Sequence, residues 1–232
     1  MSESTNSSSA AAVAAALNDG KIHLLLAASG SVATIKLPLI VSALSASFGP
    51  SLSIRIILTE SATHFLAGQS AEQPTVSSLA SIPAVAGVHL DEHEWAQPGW
   101  TRGSSILHIE LRRWADLLVV APLSANMLAK VTTGICDDLL SSVIRAWDVK
   151  GKGPGSIMVA PAMNTMMWEH PLTERQLRVL REDWEWFGVL VPYSKGLACG
   201  DVGQGAMMEW SEIVTVIEKR LRLATQTAEE IE

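Results

Sequence analysis

Two cysteines in 232 residues, Cys136 and Cys199, are too few for a disulfide framework and lack the C-x-x-C spacing of a zinc site. Their scarcity points to a reducing compartment, and so to a cytoplasmic protein. No uninterrupted apolar run approaches the roughly 18 residues that a membrane span requires, which argues against a membrane protein. Basic clusters are also missing. The formal charge is -7, and beyond short pairs such as Arg112-Arg113 there is no Lys/Arg patch to grip a phosphate backbone, which argues against nucleic-acid binding. In "MSESTNSSSAAAVAAALNDG" no basic residue precedes the alanine run, Glu3 does, and arginine is absent, so neither a signal peptide nor a mitochondrial presequence fits. Residues 1 to 20 read as a disordered Ser/Ala leader, helical at most toward its end, and residues 224 to 232 as a flexible acidic tail. There is no internal repeat.

Present instead are five short apolar runs, "IHLLLAA" (22 to 28), "SIRIILT" (53 to 59), "DLLVVAP" (116 to 122), "SIMVAP" (156 to 161) and "GVLVP" (188 to 192). Nearly continuous runs of this length suit strands covered on both faces of a parallel sheet. Segments with helical spacing separate them: "KLPLIVSALSAS", "SATHFLA", "ANMLAKVTTGICDDLLSSVIRAW" and "TERQLRVLREDWEWF", the last with Thr173 and Gln176 as a capping box. The alternation predicts an α/β fold with a doubly wound parallel sheet in one domain from 21 to 223. Residues 67 to 104 break the rhythm with Gly, Pro and Ser, leaving a short strand near Val88 to Leu90. Trp95 and Trp100 in that stretch fit either core packing or the lining of a neighbouring subunit's site.

Ligands of open α/β sheets bind beyond the carboxyl ends of the strands. The residues there are small or hydroxylated: "SGSVA" (29 to 33), "TES" (59 to 61) and "PLSANM" (122 to 127). Each offers free N–H groups at a helix start, where an anion such as phosphate is stabilised; each taken singly is equally a capped tight turn. The G-x-G-x-x-G fingerprint is missing after the first run, where only Gly30 occurs, which favours a mononucleotide over NAD. His108 opens a helical stretch in which Leu107, Leu111 and Trp114 share a face; read alone it is a structural histidine more readily than a proton carrier. Cys199 sits among Gly196, Gly200, Gly203 and Gly205, a spacing for close backbone approach or a mobile flap. Cys136 falls in a helix and reads as core. Asn164, in "PAMNTMMWEHP", is surrounded by apolar residues and reads either as a polar contact to a ligand or as a turn cap before Pro171.

Three stretches, "LHIELRRWADLLVVAPLSAN" with its terminal "APLSAN", "PAMNTMMW" and "LACGDVGQGAM", occur in this order and together resemble the homo-oligomeric flavin-containing cysteine decarboxylases, from about Lys21 to about Leu223. The resemblance implies a flavodoxin-like fold, a trimer and FMN at a subunit interface. It implies FMN contacts at Gly30, Ser31 and Val32, at Thr59, Glu60 and Ser61, at Ser124, Ala125, Asn126 and Met127, and at Ala162. Met127 stands where relatives commonly carry threonine, which removes one hydroxyl contact. His108 and Cys199 match the catalytic pair, while Asn164, Gly196, Ala198 and Met207 match substrate contacts. Met163, Met166, Met167 and Trp168 would exclude water around Asn164. The implied reaction converts 4'-phosphopantothenoylcysteine to 4'-phosphopantetheine in coenzyme A synthesis. In it FMN oxidises the thiol-bearing carbon so that CO2 can leave, and Cys199, a thiol with a reference pKa of about 8.5, protonates the resulting enethiol. The alternatives are a mixed trimer with paralogous chains, and an FMN-binding inhibitory subunit of a protein phosphatase. His108, Asn164 and Cys199 all occur in this one chain and its acidic tail is short, which favours a self-sufficient enzyme.

Overall fold

All five apolar runs form strands of one sheet, and the sixth strand of that sheet comes from the irregular segment. A computed structural model describes residues 9–70, 73–95, 101–153, 155–191 and 205–229. The strands are β1 (Ile22–Ala28), β2 (Leu52–Leu58), β3 (Val85–His89), β4 (Leu117–Leu123), β5 (Ile157–Pro161) and β6 (Phe187–Val189). They pair in parallel throughout, in the order β3-β2-β1-β4-β5-β6. This is the doubly wound class expected, with the switch point between β1 and β4.

Alternate residues of each strand feed two cores. Leu24 and Leu26 of β1, Ile54 and Ile56 of β2 and Val119 of β4 pack on one face, with Ile40, Val41 and Leu44 of the Leu37–Phe48 helix and Ile213 and Ile217 of the C-terminal helix. Leu25 of β1, Leu118 and Val120 of β4 and Val159 of β5 pack on the other, with Leu107, Leu111 and Trp114 and with Leu128 and Leu140. Burial on both faces is why the strands read as unbroken apolar runs.

Several expectations are corrected. β3 extends over Val85–His89 rather than lying near Val88 to Leu90; as an edge strand it is only partly buried and shows no apolar run. Before it come an antiparallel ribbon of Ala67–Ser70 with Gln73–Thr75 and a short helix, Val76–Leu79. The long segment 125 to 147 is two helices, Ala125–Thr133 and Leu139–Arg145. The first stops at Gly134, left-handed with φ 79°, and the second starts at Asp138, whose carboxylate caps Ser141. Cys136 therefore lies in the connecting loop and is exposed, not core. The next helix begins at Pro171 with His170 as its cap, so Thr173 sits inside the first turn and donates to the Met167 carbonyl at 2.5 Å. By length and composition alone, Val32–Ser51 would satisfy a bilayer span, with mean hydropathy 1.6, which a search for unbroken runs misses. In the fold it is the helix Leu37–Phe48 between two 3-10 turns, with Leu37, Ile40, Val41 and Leu44 packed on the sheet.

Within the leader, read as disordered and helical at most toward its end, Ser9–Ala15 form a helix with Ala10 and Val13 buried against Leu107–Trp114. Beneath it lies a polar cluster on an otherwise apolar face. The Arg55 guanidinium stands 5.2 Å from the centre of the Trp114 ring and donates to His89 Nε2 at 3.3 Å and to the Ala12 carbonyl at 3.4 Å. Arginine has donors only, so Nε2 accepts and His89 Nδ1–H is left to donate to Ser9 Oγ, 3.0 Å away. Burial first, then the Arg55 charge and His93, push the His89 pKa down to about 3. A histidine with a folded pKa below its unfolded value of about 6.5 takes up its proton more readily in the unfolded chain. Stability should therefore fall as pH drops from about 6.5 to about 3. The loss from this residue alone is about 2 kcal/mol at pH 5 relative to pH 7. Urea unfolding across that range should show the slope in the native chain and a flatter one in His89→Gln; equal slopes would refute it.

Candidate functional site

Every strand of the sheet is parallel, so the turns leaving β1, β2, β4 and β5 all lie at one edge. Each turn starts its helix with a side-chain cap. Ser31 Oγ accepts from the Ala33 N–H at 3.4 Å, Thr59 Oγ1 from Ala62 at 3.3 Å, Ser124 Oγ from Met127 at 3.2 Å and Asn164 Oδ1 from Met167 at 2.9 Å. The caps satisfy one N–H per turn and leave neighbouring first-turn donors facing outward. Ser29, the first residue of "SGSVA" and given no separate role from the sequence, ties the two sides of the switch point together: its Oγ donates to the Pro122 carbonyl at 3.1 Å and accepts from the Ser124 N–H at 2.8 Å.

Two adjoining clefts follow from this arrangement. The larger, about 520 Å³ and mainly apolar, is lined by Gly30, Ser31 and Val32, by Ser124, Ala125 and Asn126, and by Ala162, Met163, Asn164, Met167 and Met207. The smaller, about 280 Å³ and polar, is lined by Ser29, Thr59, Glu60 and Ser61, by Ser124, Asn126 and Met127, and by Asp91, Lys130, Asp137 and Asp138. Ser124 and Asn126 belong to both. All eleven residues singled out for the cofactor thus line one cleft or the other. The larger has the volume of a small-molecule site. Its apolar walls beside hydroxyls and helix-start N–H groups suit a flat, largely apolar ligand with a polar or anionic extension.

Two of the four acidic side chains of the smaller cleft are paired with its lysine. Lys130 Nζ lies 2.5 Å from Asp137 and 2.6 Å from Asp138, which raises the lysine pKa against its burial and lowers that of Asp137. Asp91 accepts from the Leu139 N–H at 2.9 Å, and burial raises its pKa. None of these four residues carried a sequence signal, since their meeting depends on chain segments far apart.

Asn164 is the N-cap of the single turn Thr165–Trp168, so the cap reading is observed, and its side chain also lines the larger cleft. With Oδ1 used by the cap, its NH2 remains as donor. The expected dry surround is not present within one chain: Asn164 is exposed, Met166 is 76% exposed and Met167 50%. A one-turn helix cannot bury all its sides, and only Met163 and Trp168 pack on the core. The carbonyl of Gly205, a residue with φ 99°, accepts from the Met163 N–H at 2.9 Å; a Cβ there would meet the Met163 carbonyl at 2.5 Å. This close backbone approach brings Met207 to the cleft.

His108 is not among the residues that line either cleft. It lies in the first turn of Leu107–Trp114, whose Leu107, Leu111 and Trp114 share the buried face as expected. Glu94, unremarked in the sequence, holds it: one carboxylate oxygen is 2.6 Å from Nδ1 and the other accepts the main-chain N–H at 3.1 Å. Trp95 beside it is 70% exposed, which rejects core packing. Cys199, Gly196, Ala198 and Trp100 lie outside the described residues.

Residues 13–222 match the protein family described as Flavoprotein. Coenzyme A biosynthesis protein 3 of Saccharomyces cerevisiae is 40% identical over 211 residues, which cover 88% of this chain and 34% of the yeast protein. The chain thus spans about a third of that relative's length. Phosphopantothenoylcysteine decarboxylase of Mus musculus is 45% identical over 201 residues, covering 85% of this chain and 86% of the mouse protein. Among solved structures, the FMN binding protein AtHal3 superposes with a TM-score of 0.67 at 44% identity, covering 85% of this chain and 95% of that one.

The cleft geometry makes its own prediction. A Cβ at Gly30 would lie 2.6 Å from Ser61 Oγ and 2.7 Å from Ser61 Cβ, so no rotamer of Ser61 relieves the clash. Gly30→Ala is expected to cost about 1–3 kcal/mol, read as a lower thermal midpoint, and adding Ser61→Gly should recover most of it. A midpoint unmoved by Gly30→Ala would show that the two loops are not packed as described.

Proposed function

The chain belongs to the Flavoprotein family, and from that membership we propose that it is an FMN-dependent decarboxylase converting 4'-phosphopantothenoylcysteine to 4'-phosphopantetheine in coenzyme A synthesis, acting in the cytoplasm as a homotrimer. The observation that carries this reading is the convergence of Gly30–Val32, Thr59–Ser61, Ser124–Met127, Ala162 and Asn164 on two adjoining clefts. The relatives support it: one is a phosphopantothenoylcysteine decarboxylase and one an FMN binding protein. The residues present fit FMN, because an apolar cleft meets polar, helix-start donors at Ser124 and Asn126.

When bound, FMN supplies two-electron oxidation at the thiol-bearing carbon, creating the electron sink into which the carboxylate's electrons pass, and later the reverse reduction. The chain's own residues bind, orient and move protons. First-turn N–H groups beyond Gly30, Thr59 and Ser124 would hold the anionic end of the cofactor, and Val32, Ala162 and Met163, which line the larger cleft, would hold its apolar part. Asn164 directs its free NH2 to the substrate carboxylate or amide, fixing the reacting end over the cleft. His108 exchanges the proton of the oxidation step, and Cys199 returns a proton to carbon after CO2 has left.

Two observations support the trimer: His108 lines neither cleft of its own chain, and Met166 and Met167 are exposed beside the larger one. In a trimer a second copy would bring its histidine to the site and cover these methionines.

The purified chain loaded with FMN is expected to show flavin absorbance and to release CO2 from 4'-phosphopantothenoylcysteine. Cys199→Ser should accumulate the enethiol with the flavin reduced, and His108→Asn should lower kcat on the order of a hundredfold or more. Bound flavin without turnover, together with inhibition of a protein phosphatase, would select the regulatory-subunit reading instead. Failure to retain FMN in any assembly would overturn both.

A further inference from the structure

The pairing of Glu94 with His108 has two contacts where a helix cap needs one. Helix Leu107–Trp114 starts at Ile106, which has no capping side chain, so the Glu94 oxygen on the His108 main-chain N–H supplies the missing cap. The second oxygen lies against the ring at Nδ1, and a cap does not require it. Glu94 is itself held firmly. Its side chain is 7% exposed. It follows the turn Asp91–His93, in which His93 Nδ1 accepts from the Leu90 N–H at 3.0 Å and Asp91 accepts from the Leu139 N–H at 2.9 Å. The same Asp91 lines the polar cleft beside Glu60 and Ser61. One short turn therefore joins a cleft wall to the histidine.

We propose that Glu94 is a positioning residue, which fixes His108 in the Nδ1–H tautomer and so presents Nε2 as the nitrogen that exchanges a proton with substrate. An ionised carboxylate only accepts hydrogen bonds, and here each of its two oxygens is engaged by a donor of the same residue, which favours one ring orientation and one tautomer. His108 is 25% exposed, so the ring is reachable while its Nδ1 side is closed. The proposal rests on the reading of His108 as the proton partner, but the tautomer can be tested without it.

The test uses the flavin-loaded, assembled chain labelled with 15N-histidine, the His108 signals being identified by their loss in His108→Asn. The native protein is expected to show His108 with hydrogen on Nδ1. In Glu94→Gln the amide offers one acceptor and one donor pair, so the NH2 facing Nδ1 should move the hydrogen to Nε2. Turnover of 4'-phosphopantothenoylcysteine should then lose kcat on the order of a hundredfold or more, with KM little changed. Glu94→Asp, which keeps both acceptors, should retain the native tautomer and recover part of kcat. Hydrogen on Nε2 in the native protein overturns the proposal whatever the variants do, so it stays testable even if Glu94→Gln fails to fold. An unchanged tautomer and kcat in a folded Glu94→Gln overturn it equally. A native chain with no turnover, but with a tautomer that switches in Glu94→Gln, would uphold the positioning role and sink the decarboxylase reading.

Discussion

A sheet whose strands all run the same way must send every strand-to-helix turn to one edge. In this chain that constraint acts on β1, β2, β4 and β5, and it places four capped turns side by side. A parallel sheet also needs helices on both faces, so neither face is open to a ligand. What is left open is the edge, where the chain reverses and helix-start donors have no intrahelical partner. The two clefts are the space between those turns, and Ser29, bonded to both Pro122 and Ser124, keeps the switch point closed beneath them.

The helix that carries His108 is fixed at both ends by different physics. At its start, Glu94 supplies the acceptors that Ile106 cannot. At its end, Trp114 stacks on His23 with ring centres 4.5 Å apart and receives the Arg55 cation on its ring. A permanent charge on a buried strand face is costly unless something compensates it. Here an aromatic face, a neutral imidazole and a carbonyl of the leader helix share that task. The alanine-rich leader is thus part of the support of the histidine helix, and its own helix exists because Ala10 and Val13 have an apolar surface to cover.

The cofactor loops were legible because each consists of residues adjacent in sequence: small and hydroxylated side chains directly after an apolar run reveal a capped turn wherever the strand ends. The same local logic found Leu107, Leu111 and Trp114 as one buried face. It failed at β3, where Val85–His89 is an edge strand half open to solvent and its apolar pattern is diluted. It failed again at Cys136, because apolar spacing continues across Gly134 although the backbone there turns left-handed. Asn164 shows a third kind of limit. Its cap was readable from sequence, but the apolar residues around it suggested burial, and a single turn leaves Met166 and Met167 exposed.

What the sequence by itself determined were the properties set within a few residues: the positions of five of the six sheet strands, the caps at the strand-end loops, the parallel doubly wound class and the family to which the motifs point. Tertiary structure alone decided which distant groups meet. Glu94 reaches His108 across fourteen positions, Asp91 reaches Leu139 across forty-eight, and Ser9 reaches His89 across eighty. The reason is physical. A hydrogen bond between remote segments depends on how the intervening chain packs, and no residue type advertises a partner that only the folded core brings within three ångströms.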